Sequence, residues 1–208
     1  MFAIVDYDTG NTRNLKKALD YLGIENILTS DPEKITAAQA VILPGVGAFE
    51  AAMEALRQRN LVSVVQKVAK DKTPILGICL GMQLLFDDSE EYGLHQGLGL
   101  IPGHIKAIPK QAGLKVPQMG WNQNQLRQKD SFFESIDQQF TYFVHSYYAE
   151  CEERFLVASV DYGIEIPSIV QNDNIIGMQF HPEKSGRVGL ELLKNFQKMV
   201  KTNDFTCN

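Results

Sequence analysis

The first half of the chain alternates short apolar runs with stretches of helical periodicity. The apolar runs predict buried strands at residues 2–6, 25–29, 41–43 and 75–79. Helical stretches fall between these runs, among them residues 50–57 and residues 61–69, the latter with Asn60 as N-cap. Strands that alternate with helices form a parallel sheet, and the functional site of such a sheet lies at the carboxyl ends of its strands. The sequence therefore predicts an α/β fold with its chemistry at that edge.

The second half of the chain predicts many strands and few helices. Strand-like runs recur without long helices between them, at residues 104–108, 115–119, 140–145, 155–160, 165–170 and 175–180. A helix is predicted from about residue 186 to residue 200, with Ser185 as its N-cap. We therefore expect a parallel core that continues into a partly antiparallel C-terminal half, with flanking helices. Because the chain has 208 residues, 44% of them hydrophobic, and no linker composition, residues 1–208 are predicted to form a single domain.

A candidate nucleophile, Cys79, stands where an apolar strand meets a helix-forming run. The local sequence is Gly77-Ile78-Cys79-Leu80-Gly81, and the helix-forming run covers residues 80–86. A side chain on such a strand–turn–helix corner is lifted above the sheet edge, and the two glycines permit the tight turn. The backbone N–H of Leu80, at the start of the helix, can stabilise an oxyanion or a thiolate. The competing interpretation is a small buried cysteine in a core strand.

His181 is the base that the sequence offers to Cys79, and Glu183 is its orienting carboxylate. Both lie in Phe180-His181-Pro182-Glu183, at the end of an apolar run. Because Pro182 disfavours helix at the preceding residue, extended or turning backbone is predicted, with both side chains on one side. The carboxylate can then fix the histidine tautomer and stabilise the imidazolium that forms when Cys79 loses its proton. A lone His-Pro-Glu is also compatible with a turn and a solvated carboxylate, but the two motifs together favour a nucleophilic triad.

A Gly-x-Gly loop follows the predicted strand at residues 41–43. Its sequence is Pro44-Gly45-Val46-Gly47, and a helical run comes after it. Backbone N–H groups of such a loop can bind an oxyanion. The loop lacks the Lys-Ser/Thr pair of a phosphate loop and the third glycine of a dinucleotide loop. An ordinary strand-to-helix turn is the alternative.

These motifs resemble those of the class I glutamine amidotransferases. The resemblance rests first on Gly77-Ile78-Cys79-Leu80-Gly81-Met82-Gln83 together with Phe180-His181-Pro182-Glu183. Within that family, three further segments resemble the glutaminase subunits of imidazole glycerol phosphate synthases: Pro44-Gly45-Val46-Gly47, Pro117-Gln118-Met119-Gly120-Trp121-Asn122 and Phe143-Val144-His145-Ser146-Tyr147. The similarity runs from Asp6 to about Val200. Gln118 departs from the family pattern, in which histidine is common at that position.

The resemblance implies a flavodoxin-like sheet and a glutaminase that works through a γ-glutamyl thioester on Cys79, with His181 and Glu183 as the other triad members. It implies an oxyanion hole built from Leu80 and from the segment of Gly45 and Val46. It implies that four residues hold the glutamine substrate: Gly47, Gln83, Ser146 and Tyr147. No cofactor and no metal ion are expected.

The resemblance also implies a partner that consumes the ammonia. This partner is a cyclase subunit with a (β/α)₈ barrel, in a heterodimer that makes imidazole glycerol phosphate and aminoimidazole carboxamide ribotide in histidine biosynthesis. Six residues are the candidates for the interface: Asn11, Asn14, Pro117, Met119, Trp121 and Asn122. For Trp121, a loop position is expected from its neighbours Gly120 and Asn122. Stimulation by the cyclase ligand is implied as well, and our hypothesis for its two-state element is a flip of the peptide between Gly45 and Val46 into the oxyanion hole.

Composition excludes several other classes of function. The formal net charge of −5 and the absence of a Lys/Arg cluster argue against a nucleic-acid surface. No apolar stretch reaches the roughly 18 residues of a membrane helix, and no signal peptide is predicted. The three cysteines, Cys79, Cys151 and Cys207, have no framework spacing, so we expect a reducing, cytoplasmic environment.

Three other functions remain open on the sequence alone. A paralogous glutaminase could deliver ammonia to a different synthase, for example one that amidates a sugar. A free-standing γ-glutamyl hydrolase would use the same cysteine chemistry and need no partner. A catalytically silent binding module is disfavoured because Cys79, His181 and Glu183 are all present.

Overall fold

The computed structural model describes residues 1–8, 12–110, 113–129 and 131–202. Its strands are β1 Phe2–Val5, β2 Asn26–Thr29, β3 Ala40–Leu43, β4 Ile75–Ile78, β5 Phe86–Ser89, β6 His95–Gln96, β7 Ile101–Ala107, β8 Gln118–Leu126, β9 Phe140–His145, β10 Tyr147–Glu150, β11 Leu156–Asp161, β12 Glu165–Asn172 and β13 Ile175–Met178. Its helices are α1 Thr12–Tyr21, α2 Pro32–Thr36, α3 Phe49–Gln58, α4 Leu61–Lys70, α5 Leu80–Gln83 and α6 Gly186–Thr202.

A mixed sheet of nine strands runs through the described residues, in the order β2-β1-β3-β4-β13-β12-β11-β8-β9. The strands from β2 to β13 in that order pair in parallel, and the pairs from β13 to β9 are antiparallel. A smaller sheet has the order β10-β7-β5-β6. The prediction of a parallel core with a partly antiparallel second half is confirmed.

Apolar side chains cover both faces of the main sheet. Alternate residues of β1 belong to opposite layers: Ala3 and Val5 pack with α3 and α4, and Phe2 and Ile4 pack with α1 and α6. Both faces are buried because α/β crossovers put helices on each side of a parallel sheet. The carboxyl ends of β1, β3, β4 and β13 therefore form the edge of the sheet at which loops can hold a site.

Three details of the sequence-based fold are wrong. The helix predicted at residues 80–86 ends at Gln83, because Phe86 already begins β5. The strand predicted at residues 115–119 begins instead at Gln118 and continues to Leu126, since Pro117 has no N–H to contribute to a ladder. Consequently Trp121 and Asn122 lie within β8 and not in a loop.

The two predicted N-cap residues precede their helices without capping them through their side chains. Asn60 stands before α4 with φ 58° and makes no side-chain cap hydrogen bond. Ser185 stands before α6, but its hydroxyl donates to the carbonyl of His181 at 2.7 Å and accepts from the N–H of Tyr142 at 3.0 Å. Ser185 thus ties the start of α6 to the segment that carries the predicted base.

Candidate active site

Cys79 occupies the corner between β4 and α5 in a strained backbone conformation. Its φ is 53° and its ψ is −112°, which is a rare combination for a residue with a side chain. The N–H of Cys79 donates to the carbonyl of Met178 at 2.8 Å, and its carbonyl accepts from Gln83 at 3.2 Å. The corner is therefore held between the ends of β4 and β13, as the strand–turn–helix motif predicts.

The two glycines that flank Cys79 are required by close backbone contacts. A Cβ atom on Gly81 would lie 1.8 Å from the carbonyl oxygen of Leu43, at the end of β3. A Cβ atom on Gly77 would lie 2.6 Å from the carbonyl oxygen of Gly81. Since both neighbours are backbone atoms, no larger side chain fits without moving the strands. The spacing Gly-x-Cys-x-Gly thus encodes the close approach of α5 to the sheet.

His181 and Glu183 form a buried ion pair next to this corner. The Nδ1 atom of His181 lies 2.9 Å from Oε1 of Glu183, and each side chain is only 3% exposed. His181 has extended backbone, but Glu183 lies in a 3₁₀ turn at Pro182–Lys184. The predicted contact is present, although the turn and not continuous extended chain brings the carboxylate to the imidazole. The N–H of His181 donates to the carbonyl of Tyr142 on β9 at 3.0 Å.

The environment of His181 favours its protonated form. Burial alone lowers the pKa of this histidine, but interactions with Cys79 and with Glu183 outweigh that effect and raise the pKa to about 9. Because Nδ1 faces Glu183, Nε2 is the ring nitrogen that can exchange a proton with the Cys79 sulfur. Nε2 makes no hydrogen bond of ordinary geometry within the described residues, and catalytic hydrogen bonds are often long before the substrate binds. An imidazolium on His181 next to the Cys79 sulfur is the arrangement that a cysteine nucleophile with a histidine partner requires.

Gln179 is a neighbour of the sulfur that the sequence analysis missed. Its side-chain Nε2 lies 3.9 Å from Sγ of Cys79, and its Oε1 accepts from Nε2 of Gln83 at 3.1 Å. Gln83 also donates to the carbonyl of Tyr147 at 2.9 Å. The sequence signal that could have identified Gln179 was its polar side chain at the end of the apolar run of β13, two positions before His181. The two glutamines link the nucleophile to β10.

A cavity of about 380 Å³ opens above the sulfur. It brings together most of the predicted site residues: Val46, Gly47, Cys79, Leu80, Gln83, Ser146, Tyr147 and His181. Pro117, which was predicted at a partner interface, also lines it, whereas Gly45 lies beneath, against Leu80 and Gly81. The strand ends and the Gly-x-Gly loop therefore line a space large enough for a free amino acid.

Further residues line the cavity without having been predicted. Glu91 accepts from the N–H of Phe49, the first residue of α3, at 2.6 Å, so its carboxylate sits at a helix N-terminus. His145 donates from Nδ1 to the carbonyl of Tyr147 at 2.8 Å, and burial lowers its pKa to about 4, so it is neutral near pH 7. Lys184 completes the wall. Tertiary packing brings these three side chains to the same cavity.

The predicted interface residues fall in different places. Met119 and Trp121 are 64% and 54% exposed on β8, and the ring of Trp121 meets that of Tyr142 edge-on at 6.2 Å. Asn122 accepts a hydrogen bond from the Gln118 amide at 3.0 Å. Asn14 is exposed on α1, and Asn11 lies outside the described residues.

Two negative findings apply to the described part of the chain. None of its helices is long and apolar enough to span a membrane. It contains no group of three or more His, Cys, Asp or Glu side chains that could hold a metal ion.

Comparison with known proteins gives concordant matches. The sequence model of the family described as glutamine amidotransferase class-I matches residues 3–200. Imidazole glycerol phosphate synthase subunit HisH from Lactiplantibacillus plantarum is 64% identical, over 100% of both chains. The protein of the same name from Lacticaseibacillus casei is 59% identical over 97% of both chains, and that from Listeria monocytogenes strain HCC23 is 48% identical over 96% of both.

Solved structures are similar at the level of the fold. A glutamine amidotransferase structure superposes with a TM-score of 0.76 at 19% sequence identity, over 96% of this chain and 98% of the other. The structure of PurLQS from Thermotoga maritima gives a TM-score of 0.73 at 18% identity, over 96% of this chain and 98% of that chain. The architecture is thus that of the class-I amidotransferases.

Proposed function

The chain belongs to the class-I glutamine amidotransferase family, and we propose that it is the glutaminase subunit of an imidazole glycerol phosphate synthase. The observation that carries the proposal is the strained Cys79 beside the buried pair of His181 and Glu183, at the floor of a small cavity. The high identity to HisH proteins over the whole chain supports the choice of subfamily.

In the proposed reaction, the Cys79 thiolate attacks the side-chain amide carbon of glutamine. His181 holds the thiol proton and delivers it to the departing nitrogen, so ammonia leaves and a γ-glutamyl thioester remains. Glu183 keeps the histidine oriented and stabilises its charge. A water molecule, deprotonated by His181, then attacks the thioester and releases glutamate and the Cys79 thiol.

The negative oxygen that forms in each step needs donors that are already in place. The N–H of Leu80, at the start of α5, is one such donor, and the segment of Gly45 and Val46 provides the other. Gly45 packs against Leu80 and Gly81, which supports this pairing. The carboxamide of the substrate would then lie between the sulfur and these two segments.

The rest of the cavity is suited to the α-amino acid end of glutamine. The substrate is proposed to be held by Gly47, by Gln83 and by the backbone of Ser146 and Tyr147. Because the Glu91 carboxylate lines the same cavity, it is suited to the α-ammonium group. Lys184 provides a positive charge for the α-carboxylate.

Ammonia must leave this site without being protonated in water, which calls for a partner at the mouth of the cavity. We assign this role to the cyclase subunit with a (β/α)₈ barrel, in a heterodimer that serves histidine biosynthesis in the cytoplasm. The exposed side chains of Met119 and Trp121 support β8 as part of the docking surface, because large apolar groups on a monomer surface often mark an interface. Asn14, Asn11, Pro117 and Asn122 complete the proposed contact set.

The test is glutamate release from glutamine by the purified chain, alone and with the cyclase subunit plus its nucleotide ligand. We expect a large increase that requires both additions and is lost in Cys79→Ala. Fast turnover by the chain alone, indifferent to the cyclase, would identify a free-standing γ-glutamyl hydrolase. Hydrolysis that the cyclase fails to stimulate would point to a different synthase as the partner.

A further inference from the structure

Tyr7 is a buried tyrosine beneath the candidate site to which no role has yet been given. It follows β1 and has no exposed surface, and its hydroxyl donates to the carbonyl of Pro44 at 2.5 Å. Pro44 follows β3, which pairs in parallel with β1. The hydrogen bond therefore crosses from one strand end to the next, immediately before the Gly-x-Gly loop.

The Tyr7 hydroxyl and the Cys79 corner both lie close to Gly45. A Cβ atom on Gly45 would lie 2.8 Å from the hydroxyl oxygen of Tyr7, 3.0 Å from the N atom of Gly81 and 3.0 Å from Cβ of Leu80. Tyr7 thus contacts the loop in two ways, through a hydrogen bond to Pro44 and through packing on Gly45. The Tyr7 hydroxyl and the residues that begin α5 therefore meet around the same face of Gly45.

This hydrogen bond fixes a whole peptide plane. The Pro44 carbonyl and the Gly45 N–H belong to one planar trans peptide and point in opposite directions, so holding one fixes the other. The next peptide, between Gly45 and Val46, can turn about ψ of Gly45 and φ of Val46, and the fixed peptide before it holds the Gly45 end. Tyr7 therefore fixes the peptide that precedes the one between Gly45 and Val46.

We propose that Tyr7 is a positioning residue for catalysis, which holds the Gly45 and Val46 segment in the place where its N–H groups meet the developing oxyanion. The inference rests on the proposed glutaminase function. Donors contribute most to an oxyanion when they need no reorganisation, so loss of the anchor should slow turnover more than it weakens substrate binding. Apart from Gly47 at the end of the loop, the residues proposed to hold the substrate lie on other walls of the cavity.

The test compares two tyrosine-to-phenylalanine variants, each lacking one hydroxyl-to-carbonyl hydrogen bond. Tyr7→Phe removes the buried bond to Pro44, and Tyr162→Phe removes an exposed bond to the carbonyl of Lys115, at 2.8 Å, between two residues that do not line the cavity. Glutamine hydrolysis is measured for the chain alone and for the stimulated complex. The rate of Cys79 alkylation by iodoacetamide is measured as well, because that reaction forms no oxyanion at a carbonyl.

We expect Tyr7→Phe to lower kcat of the stimulated complex about fivefold, the effect of one neutral hydrogen bond, with KM within about twofold. Alkylation should stay at the wild-type rate, and Tyr162→Phe should match wild type in every assay. An unchanged kcat in Tyr7→Phe, or a fall in alkylation parallel to kcat, would overturn the inference while leaving the proposed function intact. A wild-type chain that fails to hydrolyse glutamine under all conditions would refute the proposed function and the inference with it.

Discussion

Replacing Glu183 by glutamine should lower the pKa of His181 and with it the reactivity of Cys79. The pKa of His181 rises from 6.5 to about 9, a net change of about 2.5 units, which corresponds to about 3 kcal/mol in favour of the imidazolium. Glu183 is one of the two groups that oppose the effect of burial, and its side chain is 3% exposed, so water screens its charge little. We expect Glu183→Gln to lower the pKa by about one unit or more.

Two additional variants separate the effect of Cys79 on the pKa of His181 from the effect of Glu183. In Cys79→Ala the carboxylate alone opposes burial, so the pKa of His181 should fall below the wild-type value of about 9 and stay above that of a variant that also lacks the carboxylate. In the double variant Cys79→Ala/Glu183→Gln only the effect of burial remains, and the pKa should fall below 6.5. The assay is an NMR titration of the His181 ring in protein with isotope-labelled histidine. A double variant that still titrates above 6.5 would refute the electrostatic account of this site.

The same shift predicts how stability depends on pH. The folded-state pKa of His181 is raised, so its stabilising contribution is complete below about pH 6.5 and is lost as the pH rises through 9. The difference in the free energy of unfolding between wild type and Glu183→Gln should therefore shrink over that interval. Urea denaturation at pH 6 and pH 9.5 measures it, and a difference that grows with pH would contradict the direction of the shift.

Three further predictions concern the corner, the sulfur and the surface. Gly81→Ala should cost more than about 2 kcal/mol of unfolding free energy in urea denaturation, because its Cβ would lie 1.8 Å from the Leu43 carbonyl oxygen; stability equal to wild type would contradict the packing of α5. Gln179→Met should slow iodoacetamide alkylation of Cys79 about threefold by removing the N–H near the sulfur, and an unchanged rate would make Gln179 a packing residue only. Trp121→Ala should weaken cyclase binding at least tenfold in a calorimetric titration without changing the unfolding free energy; wild-type affinity would exclude β8 from the docking surface.

The corner around Cys79 was predictable because its determinants are local. Gly77 and Gly81 flank the cysteine at a spacing that only a tight strand-to-helix turn requires, and the structure places backbone atoms where their side chains would be. The contact of His181 with Glu183 was also predictable, since only two positions separate them. The 3₁₀ turn that makes the contact was not, because Pro182 permits both extended and turning backbone.

Elements with polar sequences escaped prediction for a physical reason. β8 carries Gln, Asn and Trp side chains with no apolar alternation, so its strand character depends on pairing with β9 and β11. β5 and β6 are short and polar, and they form the second sheet through contacts with β7. Glu91 was missed because it reaches the cavity through the packing of that second sheet, and His145 because the segment Phe143-Val144-His145-Ser146-Tyr147 does not show which of its side chains faces the cavity.

The position of β9 connects the proposed docking surface with the catalytic residues. On its outer side, Tyr142 meets the exposed ring of Trp121 edge-on, and Lys184 lies 5.8 Å above the Tyr142 ring. On its backbone, the carbonyl of Tyr142 accepts from the N–H of His181 at 3.0 Å, and the carbonyl of Val144 lies 3.9 Å from the Cys79 sulfur. A partner that shifts Trp121 would therefore act on a strand that touches both reacting side chains. The Tyr7 anchor acts from the other side, through β1 and β3, so the two effects should be additive in a Tyr7→Phe/Trp121→Ala double variant.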